Sequence, residues 1–159
     1  VEKKASLVEK IKNNPWGYHY QAAFELFLKK PLVGHGYKSF RFKCNETTID
    51  KDTIKRRHHY KDYRACSSHP HNYMMEFLSE NGITGFLFYI IFILIIFFKI
   101  LKARKHANNN YLLLGVGTLL LAILFPIKPS GSFFTTFNAS IFFYLLGFFI
   151  YSTRQIKQK

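Results

Sequence analysis

Acidic residues are scarce in this chain and absent from its second half. The 159 residues include 9 Asp and Glu against 23 Lys and Arg, and every acidic residue lies before position 81. Cysteine occurs twice, which excludes a small fold built on several disulfides. A disordered chain is excluded as well, because 48% of the residues are hydrophobic and 18% are aromatic. The length allows one domain, so the contrast between the two halves is the first feature to explain.

Three apolar runs fill the second half. The run 82–101 contains one charged residue, Lys99, and the runs 111–127 and 133–151 contain none. Twenty helical residues rise ~30 Å, which matches the hydrocarbon core of a bilayer, and a backbone in lipid must satisfy its polar groups internally. Three such runs with short basic spacers disfavour the buried helices of a soluble protein. The sequence therefore predicts an all-α fold, a polytopic membrane helix bundle with three C-terminal transmembrane helices.

Basic residues between and after these runs predict the topology. They are Lys99, Lys102, Arg104 and Lys105 after the first run, and Arg154, Lys157 and Lys159 after the third. The positive-inside bias places the tail 152–159 in the cytoplasm and residues 1–81 on the periplasmic or exterior side. Because the positive charge is explained by topology, no nucleic-acid partner is expected.

Polar residues in the third run indicate that the bundle is larger than three helices. Thr135, Thr136, Asn138 and Ser140 need helix neighbours rather than lipid. The chain also begins at Val1 and carries no signal peptide. We therefore expect a C-terminal piece of a larger polytopic protein, or an oligomer.

Short helices are predicted for the region 1–81, which makes it a mostly helical extracytoplasmic loop domain. Residues 20–30 form one helix, which Pro31 ends. Glycines on both sides of His35 indicate either a simple turn or a close approach of backbone to a ligand. A second helix follows Asn72, a suitable N-cap, and ends at Gly82 in a left-handed conformation.

The two cysteines, Cys44 and Cys66, both fall in the half assigned to the outside. An oxidising compartment favours a disulfide between them, which would contribute ~3 kcal/mol. Two free thiols are the alternative.

His71 is the candidate catalytic residue. Its place at a helix N-terminus disfavours imidazolium, so the neutral ring can accept a proton from a hydroxyl. Guanidinium groups in the polar loop can hold a phosphate or pyrophosphate by forked hydrogen bonds. Together they indicate a lipid-phosphate-linked substrate. The predicted substrate-binding residues are Arg41, Arg64, Asn72, His35 and His69.

A metal site is the rival interpretation of the same loop. Cys66, His69 and His71, with His58 and His59 nearby, are possible zinc ligands. Their spacing matches no standard zinc pattern and no carboxylate stands beside them, so we predict no metal and no cofactor. Glu76 and Glu80 lie one helical turn apart and are expected to cap and solvate the helix rather than to form a glycosidase pair.

One segment, HPHNYMMEFLSENGITG, resembles the O-antigen ligase / O-antigen polymerase family of bacterial envelope glycosyltransferases. That family has a His followed by Asn, Ser or Gln, then nine residues and G-x-x-G. Here His71 and Asn72 precede Gly82 and Gly85 at that spacing. The stretches FELFLKKPLVGHG and PIKPSGSFFTTFNAS are similar to two further family segments, and the three occur in the family's order.

The resemblance implies a multi-pass protein of the bacterial inner membrane with residues 1–81 in the periplasm. Family members move a glycan from undecaprenyl pyrophosphate to an acceptor hydroxyl, with inversion and without a metal. The acceptor is lipid A–core, a growing glycan or a protein. His71 would be the base that activates this hydroxyl, and arginines would bind the pyrophosphate.

This chain departs from the family at one arginine. The family has an Arg just before the helix that leads to G-x-G, whereas this chain reads WGYHY there. Either His19 occupies that place or the arginine lies elsewhere, with Arg41 the first candidate and Arg64 the second. The alternative function is a non-catalytic, membrane-anchored protein that binds a glycan or a partner.

Overall fold

The computed structural model describes residues 15–49, 65–104 and 107–157. Within these ranges the chain forms α-helices, one short 3₁₀-helix and no strand. The α-helices are α1 (Pro15–Lys29), α2 (Phe40–Lys43), α3 (Tyr73–Ala103), α4 (Ala107–Ile123) and α5 (Thr136–Lys157), and the 3₁₀-helix is Cys44–Glu46. The all-α prediction is confirmed for the described residues.

Two helices of the described residues are long and apolar enough to cross a membrane, Tyr73–Ala103 and Thr136–Arg154. A third apolar stretch, Tyr111–Ile123, is shorter. Many large apolar side chains of these helices are exposed, among them Phe88 at 74% and Phe143 at 60%. Exposed apolar surface of this extent is typical of lipid-facing helices.

The chain divides into two compact units. The first contains the residues up to Phe86 together with Lys128–Ser132, and the second contains Leu87–Ile127 and the residues from Phe133 onward. The candidate catalytic residues all belong to the first unit.

Buried side chains from three segments form the core of the first unit. Ala22, Ala23 and Leu26 of α1 pack with Phe40, Cys44 and Ala65, all of them fully buried. Helix α1 begins at Pro15, earlier than the predicted 20–30, because proline is well suited to the first position of a helix, where its missing N–H costs nothing. The small alanines of α1 let the segment around Ala65 approach the helix closely.

A break at Gly82 divides α3. Gly82 has φ 66° and ψ −162°, which are not helical values, and the N–H groups of Ile83 and Thr84 bind carbonyls outside the helix. The positive φ predicted for Gly82 is confirmed, and α3 consists of two helical segments that meet at this kink. The helix predicted after Asn72 and the run 82–101 correspond to the segments before and after this break.

The turn Pro31–Gly36 provides hydrogen-bond partners for four backbone groups beside the break. Ile83 and Thr84 donate their N–H groups to the carbonyls of Pro31 and Leu32, at 2.7 and 3.4 Å. The N–H groups of His35 and Gly36 bind the carbonyls of Ser79 and Glu80, at 3.2 and 2.8 Å. Buried backbone groups need partners, so the glycine turn stabilises the kink in α3.

Helices α4 and α5 pack against each other in the second unit. Buried Leu113, Leu120 and Phe149 belong to this unit, and the Tyr89 hydroxyl donates to the Leu124 carbonyl. This bond gives the buried hydroxyl a polar partner in apolar surroundings.

The bounds of the last two helices differ from the runs 111–127 and 133–151. Helix α4 ends at Ile123 because Pro126 disfavours helix in the residues before it. Helix α5 starts after Thr135, whose hydroxyl accepts the N–H of Asn138 at 3.3 Å as an N-cap. It then continues to Lys157, through most of the predicted tail 152–159.

Candidate active site

His71 lies two residues before the first residue of α3 and has a left-handed backbone conformation. Its φ is 56°, a region that non-glycine residues seldom adopt and that His, Asn and Asp tolerate best. The Ser130 N–H donates to the His71 carbonyl at 2.9 Å. The turn 128–132 therefore holds the backbone that carries the imidazole.

Three aromatic rings surround the His71 imidazole. Its centroid is 4.1 Å from that of His69, 4.9 Å from that of His19 and 4.7 Å from that of Trp16. Trp16 and His19 come from α1, one helical turn apart, and meet each other at 6.2 Å. We call Trp16, His19, His69 and His71 the histidine cluster.

Burial within this cluster keeps the imidazoles neutral. It is the main cause that lowers the pKa of His71 to about 4, and His69 and His19 lower that pKa further by charge repulsion. Burial is also the largest cause of the lowered pKa values of His19 and His69. A neutral ring is the form that accepts a proton.

His19 is oriented by the backbone. Its Nδ1 lies 2.9 Å from the Ala65 carbonyl, and because a carbonyl only accepts, Nδ1 carries the hydrogen. In the neutral ring this leaves the lone pair on Nε2. The sequence raised His19 only as an occupant of the missing arginine's place, and nothing in the sequence pointed to Trp16.

Asn72 acts as the N-cap of α3, as predicted. Its Oδ1 accepts the Met75 N–H at 3.0 Å, and its Nδ2 donates to the Lys128 carbonyl at 3.2 Å. The side chain is buried, with 3% exposed, and Tyr20 also hydrogen-bonds to it. Through these hydrogen bonds the Asn72 amide holds α1, α3 and the turn 128–132 together.

Arg41 is exposed on α2, and its charge is close enough to His69 to lower the pKa of that imidazole. Arg41 is therefore a guanidinium close to the histidine cluster. Arg64, the second candidate, lies outside the described residues, as do His58 and His59.

His35 is positioned by helix α1. Its Nε2 lies 2.9 Å from the Leu26 carbonyl near the end of that helix, and its N–H binds the Ser79 carbonyl. His35 thus helps to fix the turn that supports the kink of α3.

A disulfide joins Cys44 and Cys66, with their Cα atoms 5.0 Å apart. Ala65, whose carbonyl orients His19, is the neighbour of Cys66 in the chain. Because its sulfur is bonded to Cys44, Cys66 has no thiolate to offer a metal. The described residues contain no group of three or more His, Cys, Asp or Glu side chains that could hold a metal ion.

Glu76 and Glu80 are buried, each with 1% exposed, so the expectation that they solvate the helix is wrong. Glu80 accepts the N–H groups of Lys38 and Phe40 at 2.7 and 3.1 Å. Glu76 accepts a hydrogen bond from the Ser132 hydroxyl. Both carboxylates therefore hold neighbouring loops against α3, which the spacing of two glutamates alone does not reveal.

Comparison with known families gives one result. Residues 13–90 match the family model described as O-antigen ligase, a range that includes the histidine cluster, the glycine turn and the kink of α3. No curated protein and no solved structure matches the chain.

Proposed function

The chain belongs to the O-antigen ligase family, and from this membership we propose that it takes part in the transfer of a glycan from undecaprenyl pyrophosphate to an acceptor hydroxyl. The acceptor is lipid A–core, a growing glycan or a protein side chain. As the family resemblance implies, the proposed transfer inverts the anomeric centre and uses no metal. Pyrophosphate is already a good leaving group, so the enzyme needs mainly to supply positive charge and orientation.

His71 is the proposed general base. The observation that carries this role is a neutral, partly buried imidazole in the family motif, held by backbone contacts at the start of α3. As the acceptor oxygen attacks the anomeric carbon and the bond to pyrophosphate breaks, Nδ1 or Nε2 takes the hydroxyl proton. The negative charge of the bound donor raises the pKa of the ring and so strengthens a base that is weak in the free protein.

Positive charge for the pyrophosphate comes from Arg41 in this proposal, with Arg64 as a second contributor. His19 stands beside His71, near the place where the family has an arginine, and gains a proton more readily when an anion is bound nearby. His69, His35 and Asn72 complete the proposed substrate-binding region.

The proposed membrane arrangement follows from the charges. The segments 82–101, 111–127 and 133–151 cross the bacterial inner membrane, residues 1–81 are periplasmic and the C-terminus is cytoplasmic. The lipid carrier keeps its pyrophosphate at the membrane surface. In this proposal the span begins at residue 82, so His71 and the helical residues that follow it lie close to that surface.

Complementation with the full-length protein tests the function. The protein is expressed in strains that lack either the ligase or the polymerase, and the lipopolysaccharide ladder is read. We compare the unaltered protein with His71→Gly, because glycine accepts the left-handed backbone of residue 71 without strain. Transfer should fall about 10²–10⁴-fold, the usual contribution of a general base.

Added imidazole provides the control for the role of the ring. It should restore part of the transfer by His71→Gly, since a free base can enter the space that the ring vacates. Full transfer by His71→Gly without imidazole would remove His71 from the mechanism. No transfer by the unaltered protein in either strain, together with retained glycan binding, would instead favour the membrane-anchored binding protein.

A further inference from the structure

The turn at 31–33 exposes apolar side chains that the core of the first unit does not use. Leu32 is 68% exposed and Val33 is 71% exposed, and Pro31 beside them is exposed as well. Three consecutive exposed apolar residues at the tip of a turn cost free energy in water. An apolar environment would remove this cost.

Hydrogen bonds fix this turn to the first residues after the α3 break. The Pro31 and Leu32 carbonyls accept the N–H groups of Ile83 and Thr84, and the Thr84 hydroxyl adds a bond of 3.1 Å to the Leu32 carbonyl. Gly82 also begins the first long apolar run. The turn therefore lies beside the kink of α3, where the first long apolar run begins.

A basic residue flanks the apolar tip. Lys30 is exposed, and neither of the two ion pairs among the described residues involves it. Lys29 differs, because it pairs with Glu25 at 3.1 Å. A lysine beside apolar residues at a membrane boundary places its ammonium among lipid phosphates while its stem and its neighbours lie deeper.

We propose that the turn 31–33 is a lipid-contacting surface, in which Leu32 and Val33 enter the phospholipid interface beside α3 and Lys30 meets anionic headgroups. The contact anchors the glycine turn, and through it the kink of α3, at the level of the bilayer surface. The inference rests on the proposed membrane placement of α3 and is independent of glycan transfer. A further apolar helix of a longer chain is the other occupant that an experiment must distinguish.

Fluorescence quenching by lipid tests this surface. Leu32→Cys, introduced into the full-length protein, provides a free thiol for a bimane label, since Cys44 and Cys66 are bonded to each other. The protein is reconstituted into phosphatidylcholine and phosphatidylglycerol vesicles whose acyl chains carry bromine near the headgroup. Val33→Cys repeats the measurement at the neighbouring position, so that assembly failure of one variant does not decide the result.

Two matched positions calibrate the measurement. Phe88→Cys reports the proposed span, and Phe88 is 74% exposed. Tyr37→Cys lies on the same segment, five residues after Leu32, and Tyr37 is 59% exposed. We expect bromine to reduce the fluorescence at positions 32 and 88 by about twofold, as for interfacial apolar side chains, and to affect position 37 much less.

Each other pattern contradicts the proposal. Quenching at 88 with none at 32 and 33 would mean that the turn faces water or another helix, while the membrane placement stands. Absence of quenching at all positions would overturn that placement and the lipid contact together. Equal quenching at 32 and 37 would show that lipid contact is not a property of the tip.

Discussion

Gly34 and Gly82 approach so closely that neither has room for a side chain. A Cβ on Gly82 would lie 2.7 Å from the backbone N of Gly34, and both residues have positive φ, 66° and 67°. A Cβ on Gly34 would collide with the backbone carbonyl of Glu80 and lie 2.6 Å from the N of Asn81. The glycine turn and Gly82, the first glycine of the G-x-x-G motif, therefore form one close backbone contact.

Alanine substitutions at Gly34 and Gly36 should separate the cost of backbone strain from the cost of a steric collision. Gly34→Ala should destabilise the protein more than Gly36→Ala, because Gly36 has φ 99° but nothing within 4 Å of its Cβ position. Gly36→Ala carries only the cost of an unfavourable φ, about 1–2 kcal/mol. Thermal unfolding in detergent measures both variants, and equal losses of Tm would show that the contact with α3 is not tight.

His19 should influence the protonation of His71. His19→Asn keeps an N–H donor near the Ala65 carbonyl but removes the titrating ring, so it removes one of the repulsions that lower the pKa of His71. The pKa should rise from about 4 yet stay below 6.5, because burial remains its largest cause. Histidine NMR titration measures the shift. Trp16→Phe removes no charge but slightly reduces the burial of the ring, so a rise of the pKa in this variant measures the part that is due to burial. A fall of the pKa in His19→Asn would contradict the proposed repulsion.

The pH dependence should follow the low pKa of His71. Below about pH 4 the ring of the free protein is protonated and cannot act as base, so kcat/KM should fall there and be level through neutral pH. The stability of the folded protein should also decrease as the pH falls. The unfolded protein takes up a proton near pH 6.5 and the folded protein only near 4, so folding is progressively weakened as pH falls between these values. An acid limb of kcat/KM at pH 6 or above would count against His71 as the base.

The disulfide should matter to both stability and site geometry. Alkylation under non-reducing conditions should add no label at Cys44 or Cys66, and the double variant Cys44→Ser, Cys66→Ser should lose about 2–5 kcal/mol of stability. Because Ala65 adjoins Cys66 and binds His19, this variant should also alter the NMR signals of His19. Quantitative labelling of both residues in the native protein would disprove the bond.

Local patterns were enough to predict the helical character of the chain and the position of His71 at a helix start. Hydropathy identified the apolar helices, and Asn72 and Gly82 were recognised as cap and break because their chemistry acts on neighbouring residues. Helix bounds were less accurate, since Pro15, Pro126 and Thr135 set the ends through short-range effects that hydropathy does not record.

Contacts between distant segments were decided only by the tertiary structure. Trp16 and His19 reach His71 because α1 packs beside the start of α3, and a burial-lowered pKa requires that packing. The sequence pattern predicted Glu76 and Glu80 on the surface, whereas in the structure they are covered by the loops that they bind. The amino-acid sequence thus determined which groups are present and how each helix begins, whereas the packing of remote segments determined which groups meet and which protonation state they hold.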